Sequence, residues 1–77
     1  MYTPEMASAF KAIKAPEGFG VVLYENPDFI TVEVDPKDLI KLSDEDKLEA
    51  VKYVNDVKRT LESFGIVVFV VRKALEE

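Results

Sequence analysis

The densest group of chemically capable side chains is the acidic run Asp44-Glu45-Asp46, which Asp35 and Asp38 precede by a few residues. Carboxylate oxygens are the ligands that Mg²⁺ and Ca²⁺ prefer, so a weak divalent-ion site near Asp44 and Asp46 is one hypothesis. The spacing lacks the glycine and the distal glutamate of an EF-hand loop. Acids are also favoured at a helix start by the helix dipole, which explains the run without a ligand. We therefore expect no metal and no cofactor.

Other catalytic groups are scarce. The chain has no Cys and no His, which excludes thiolate zinc sites and the Ser-His-Asp and Cys-His arrangements within it. Gly18-Phe19-Gly20 precedes a predicted strand, so it lacks the helix N-terminus that phosphate-binding loops use. The serines Ser8, Ser43 and Ser63 have only lysines as candidate bases. We therefore expect no enzymatic activity.

The charge balance argues against nucleic acid as a partner. Fifteen acidic residues against ten basic ones give a net charge of −5, the wrong sign for a phosphate backbone. The two basic pairs, Lys58-Arg59 and Arg72-Lys73, are expected at opposite ends of the domain. The longest apolar run has six residues, Ile66 to Val71, whereas a membrane helix needs about 20. With no membrane span and no signal-peptide pattern, we expect a cytoplasmic protein.

The length of 77 residues allows one hydrophobic core and therefore a single domain, 1–77. The pattern predicts an α+β fold in the order α-β-β-α-β, with a three-stranded mixed sheet and one long helix packed on a face. Lys37 to Leu42 is expected to be a connector that can hold one turn of helix. The predicted elements are a helix at about 4–14, strands at about 20–25 and 29–35, a helix at about 44–64 and a strand at about 66–72.

The two helices are predicted from their caps and apolar spacing. Thr3-Pro4-Glu5 is typical of a helix start, and Ser43-x-x-Asp46 resembles a capping box. Gly65 stands where a left-handed C-terminal cap is expected. We expect part of the long-helix face to pack against Ile30, Val32 and one side of the last strand. The apolar face of the first helix is Met6, Phe10 and Ile13, and that of the long helix is Ala50, Val54, Val57, Leu61 and Phe64.

The order of the strands is predicted from how their apolar residues are distributed. Val21 to Tyr24 is apolar on both sides, which favours a central position. Phe29 to Val34 alternates, with Ile30, Val32 and Val34 on one side, which favours an edge. The favoured order is therefore 2-1-3, with the last strand antiparallel to the first. The alternative is 1-2-3, with the alternating strand in the centre.

The last strand is predicted to be an edge with apolar residues on both sides. Such an edge is an aggregation hazard unless it is paired, covered or charged. The N-terminal helix is one candidate cover. The hypothesis that we favour is a homodimer in which this strand pairs with its counterpart in a second copy. The expected interface consists of Ile66, Val67, Val68, Phe69, Val70 and Val71.

Elimination of the other classes leaves a non-enzymatic protein-interaction or regulatory module whose partner is another protein. The alternative is a small-ligand or divalent-metal-binding domain. The predicted β-β-α-β core in a small acidic chain resembles small bacteriophage proteins that bind and inhibit host enzymes such as RNA polymerase. That resemblance implies an accessory role of the viral or phage kind. It is one of topology, so no site residue follows from it.

Overall fold

The computed structural model describes residues 2–74. Three helices and a three-stranded mixed sheet follow the predicted α+β pattern, and the long helix packs on the sheet. The predicted connector contains a short extra helix. The elements are α1 (Pro4–Lys11), β1 (Val22–Glu25), β2 (Phe29–Val34), α2 (Pro36–Ile40), α3 (Asp44–Glu62) and β3 (Val67–Arg72).

Side-chain caps fix where the helices begin. The Thr3 hydroxyl accepts a hydrogen bond from the Met6 backbone N–H at 3.2 Å, and the Ser43 hydroxyl accepts one from the Asp46 N–H at 3.1 Å. Each bond satisfies a donor that has no partner within its helix. Gly65, with a φ of +84°, makes the left-handed turn out of α3. The helix ends at Glu62 rather than 64, because the last turn tightens into an i+3 bond from the Phe64 N–H to the Leu61 carbonyl.

The favoured strand order is wrong, and the alternative is right: the sheet runs β1-β2-β3. β2 pairs antiparallel with β1 and parallel with β3. β1 lies at an edge of the sheet although both of its sides are apolar. Its second apolar side faces solvent, with Val22 51% and Tyr24 49% exposed. The alternation of β2 reflects a sheet that is covered on one face only, and in such a sheet a central strand alternates too.

The hydrophobic core lies between one face of the sheet and the helices. From β2 it takes the three alternate residues predicted to share a side, Ile30, Val32 and Val34. The first helix adds Met6, and the 18–20 turn adds Phe19. Half-buried Phe10 and Ile13 pack against this cluster, so α1 and α3 cover the same face. The Cα atoms span 33 × 29 × 15 Å, and the short dimension is that of two layers.

The predicted face of α3 is correct at its centre and wrong at its end. Val57 and Leu61 are fully buried, as predicted, whereas Val54 is only half-buried. Phe64 is 43% exposed, because it lies beyond the last helical residue. The buried face of α3 also includes Tyr53, which was not predicted and whose ring meets Phe19 edge to face at a centroid distance of 6.1 Å.

Candidate functional site

The acidic run lies in the first turn of α3, where the helix dipole favours it. The nearest cation to Asp44 is Lys47, at 3.9 Å. Asp35 is also a cap, since its carboxylate accepts a hydrogen bond from the Lys37 N–H at 2.9 Å. Across residues 2–74, no three acidic side chains come together in a way that would hold a metal ion. The hypothesis of a divalent-ion site therefore gains no supporting geometry.

Several basic side chains lie next to acidic ones. Arg59 binds Asp56 at 2.6 Å, Lys58 lies 4.0 Å from Glu62, and Lys73 lies 3.9 Å from Asp35. Each of these cations has a carboxylate beside it, which reduces its attraction for a phosphate backbone. That nucleic acid is not a partner stays a prediction, and these pairs agree with it.

An open groove of about 760 Å³ lies between α3 and the segment Ile13 to Pro16, which follows α1. Three basic and three acidic side chains line it, so no single charge dominates. The groove also borders Tyr53, and burial raises the pKa of this phenol. This mixture provides no convergent set of groups for one ligand class. Its charged lining residues are Lys14, Asp46, Glu49, Lys52, Asp56 and Arg59.

The most unusual surface is the side of the sheet that faces away from the helices, here called the open face. In each strand, residues alternate between the two sides, so the partners of the outward β2 residues also point outward. Thr31 lies between Tyr24 and Phe69, and Glu33 lies between Val22 and Val71. The open face consists of Val22, Tyr24, Phe29, Thr31, Glu33, Val67, Phe69 and Val71.

Five large apolar side chains of the open face are between 40% and 55% exposed: Val22, Tyr24, Val67, Phe69 and Val71. Phe29 and Phe69 stack edge to face with ring centroids 5.3 Å apart, which fixes the aromatic centre of the surface. The hydroxyl of Tyr24 donates a hydrogen bond to Glu33 Oε1 at 3.3 Å, so the only charged group among these eight residues is held at a defined position. The arrangement is an apolar platform with one oriented carboxylate.

The predicted interface residues do not form one surface. Val67, Phe69 and Val71 belong to the open face, whereas Val68 is 4% exposed and belongs to the core. Val70 shares the core side of the sheet with Val68 but is 42% exposed.

Ile66 precedes β3 and packs partly against the core. The sequence pattern did not point to Val22 or Glu33 as surface residues of a site. The available signal was the two-sided apolar pattern of the first strand, which indicates an uncovered side as readily as a central position.

Comparison with protein-family models, with curated proteins and with solved structures finds no match. Within residues 2–74, none of the helices has the length and apolar character needed to cross a membrane. The candidate functional site therefore rests on the geometry of the open face alone.

Proposed function

We propose that this chain is a non-enzymatic protein-interaction module with an accessory or regulatory role, and that the open face binds its partner. The observation that carries the proposal is the group of five half-exposed apolar side chains on one rigid sheet face. Contiguous apolar patches of more than a few hundred Å² are rare on monomers and mark interaction surfaces. Tyrosine is among the residue types that dominate binding energy at protein interfaces, and phenylalanine is enriched there, which suits Tyr24 and Phe69 as anchors.

The chemistry of the face indicates what kind of protein it fits. Covering the face brings Glu33 out of water, and a carboxylate that loses water without a cation costs several kcal/mol. The partner should therefore present an apolar surface with a lysine or arginine placed opposite Glu33. The net charge of −5 also steers a basic partner towards the chain. An accessory role of the kind implied by the resemblance to small phage proteins needs no more than such a surface.

Affinity capture with matched variants tests this proposal. The double variant Tyr24→Ser/Phe69→Ser removes the two aromatic anchors that flank Thr31. The control Ile40→Ser/Leu48→Ser removes two apolar side chains that are each 73% exposed on the helices. Circular dichroism and urea unfolding verify that both variants fold. We expect one protein to be retained by the parent and the control and lost by the open-face variant.

The charge of the partner is tested on the captured protein. Glu33→Gln should weaken its binding and flatten the dependence of affinity on salt, because one charge pair is lost. If the parent, the helix-surface control and the double variant of the open face all retain the same proteins, the open face is not the binding surface. Retention of no protein above background would overturn the function itself.

A further inference from the structure

The two edges of the sheet differ in how well they are protected. β1 has four residues, and the backbone N–H of Tyr2 donates a hydrogen bond to the Glu25 carboxylate at its end, at 3.4 Å. β3 has six residues, pairs with β2 alone, and is uncharged from Val67 to Val71. Long, uncharged edges of this kind are normally paired or covered. The edge of β3 is therefore the longer of the two open edges and offers more outward backbone groups.

The orientation of those backbone groups follows from one contact. The N–H of Lys73 donates to the Val34 carbonyl at 2.8 Å and so points towards β2. Because the direction alternates along a strand, the N–H and C=O groups of Val68, Val70 and Arg72 point outward. Three residues at i, i+2 and i+4 are the pattern that a further antiparallel strand requires.

Above this edge lies an apolar flank of α3. The opposite flank of α3 faces the segment Ile13 to Pro16 across the charged groove, and α1 lies beside β1, as the shared cleft of Phe10, Val21 and Leu23 indicates. The other flank of α3 carries Val51, which is 57% exposed, and half-buried Val54, and both line a cleft with Val34 of β2 and Leu39 of α2. Below it, Val70 is left 42% exposed. The side of the molecule at β3 thus has two features at once, free backbone groups and an apolar wall.

We infer that this side binds a second copy of the chain, with β3 pairing antiparallel to its counterpart about a twofold axis. In the register that uses all three outward residues, Val70 meets its own counterpart on the axis. Val68 and Arg72 then exchange hydrogen bonds with Arg72 and Val68 of the other copy. In this register, no charged side chain of β3 lies opposite a side chain of the same charge in β3 of the other copy. The result is a six-stranded sheet in the order β1-β2-β3-β3-β2-β1.

The same symmetry brings the helices together. α3 lies over β2 and β3, since Val57, Leu61, Ile30 and Val68 share one cluster. With strands about 4.8 Å apart, the two copies of α3 come within roughly 10 Å, the distance at which helices pack. Val51 and Val54 then lie on the facing flanks. A second copy of the chain can therefore cover the edge of β3 without any rearrangement of the fold.

Edge pairing is favoured over stacking of two open faces. Stacking would enclose two Glu33 carboxylates in an apolar layer without a cation from either copy, which is costly. Edge pairing leaves the open faces free and places them side by side. The inference therefore goes beyond the proposed function and does not depend on it. A single strand pair makes a smaller interface than the roughly 1,200–2,000 Å² of stable complexes, so we expect a weak dimer, with a dissociation constant in the micromolar range.

Sedimentation equilibrium of the full chain tests the inference at concentrations up to about 500 µM, well above a micromolar dissociation constant. We expect the mean mass to rise from 8.7 kDa towards twice that value. Salt should strengthen the dimer, because each copy carries a net charge of −5. A mass that stays at 8.7 kDa across the range would overturn the inference.

Two variants locate the interface. Val70→Pro removes an outward N–H and keeps the bonds to β2, so the dimer should weaken by at least about tenfold. Val70→Ala loses more of the side chain but keeps the N–H, and it should still dimerise. Equal dimerisation by the two variants would contradict edge pairing. The open-face variant Tyr24→Ser/Phe69→Ser separates the two proposals, since it should abolish partner capture while the dimer remains.

If Val70→Pro does not fold, amide hydrogen exchange on the parent decides the question. The N–H groups of Val68, Val70 and Arg72 should gain protection as the protein concentration rises. Those of Phe69 and Val71, which point towards β2, should be protected at every concentration. Protection that does not alternate along β3, or that does not change with concentration, would contradict the paired edge.

Discussion

The two faces of the sheet are built from the same three strands, but one face is buried and the other is exposed. On the covered face, Ile30, Val32 and Val68 are at most 4% exposed. On the open face, Val67 and Phe69 of the same β3 strand are more than half exposed. The strands carry apolar residues on both faces of the sheet, but α1 and α3 both cover the same face. Burial here is decided by where the helices go rather than by how apolar a strand is.

The largest expected effect comes from the covered face. Leu61 is fully buried, so Leu61→Ala removes its packing and leaves a cavity, at a cost of about 2–5 kcal/mol. Domains of this kind have a total free energy of unfolding of about 5–15 kcal/mol. Urea titration followed by circular dichroism measures the loss. A variant as stable as the parent would show that α3 is not packed as described.

A pair of identical substitutions compares the two faces directly. Val67 and Val68 are neighbours of the same residue type but are 55% and 4% exposed. Val68→Ala should cost about 2 kcal/mol, from lost transfer free energy and a small cavity. Val67→Ala should stay within about 0.5 kcal/mol of the parent. Equal losses in urea unfolding would mean that both faces are covered.

The helix that covers the sheet also depends on its cap. Ser43→Ala removes the oxygen that accepts the Asp46 N–H and should cost about 1 kcal/mol of unfolding free energy. Ser43→Asp keeps an acceptor at this position and should be close to the parent in thermal unfolding. If the alanine and aspartate variants behave alike, the hydroxyl is not a cap.

The smallest effect is a change in stability at alkaline pH. Burial raises the pKa of Tyr53 above its ordinary value of 10.0. The unfolded chain therefore loses this proton first, and the stability that Tyr53 contributes below about pH 10 falls as the pH rises through its raised pKa. Tyr53→Phe should show a smaller fall. The measurement is the urea midpoint of the parent and of Tyr53→Phe as the pH rises above about 10. If the two midpoints fall in parallel, Tyr53 is not the group responsible.

Local structure could be predicted from the sequence because it depends on neighbouring residues. The Ser43 cap, the Gly65 turn and the alternation of Ile30, Val32 and Val34 are each signalled within a few positions. The sheet order could not be predicted in this way. The pattern from Val21 to Tyr24 shows that both sides are apolar, but it does not say whether a second layer covers them. The apolar character of Phe64 likewise gave no sign that the helix ends two residues before it.

The open face was missed for the same physical reason. Its members come from three strands, and only the register of β2 with β1 and β3 brings Tyr24, Thr31 and Phe69 into one row. The sequence drew attention to β3 as an edge, and that position holds in the observed order. It could not distinguish Val70, at the edge, from Phe69, on the open face.

The most direct test of the account measures how accessible the methyl groups are in the dilute protein. A soluble paramagnetic probe broadens NMR signals of methyl groups that it can approach. We expect strong broadening for Val22, Val67 and Val71 of the open face and little for Val32, Val57 and Val68 of the core. Val67 and Val68 provide the sharpest contrast, since they are adjacent in one strand. If the methyl groups of Val67 and Val71 are as shielded as those of Val68, the open face does not exist.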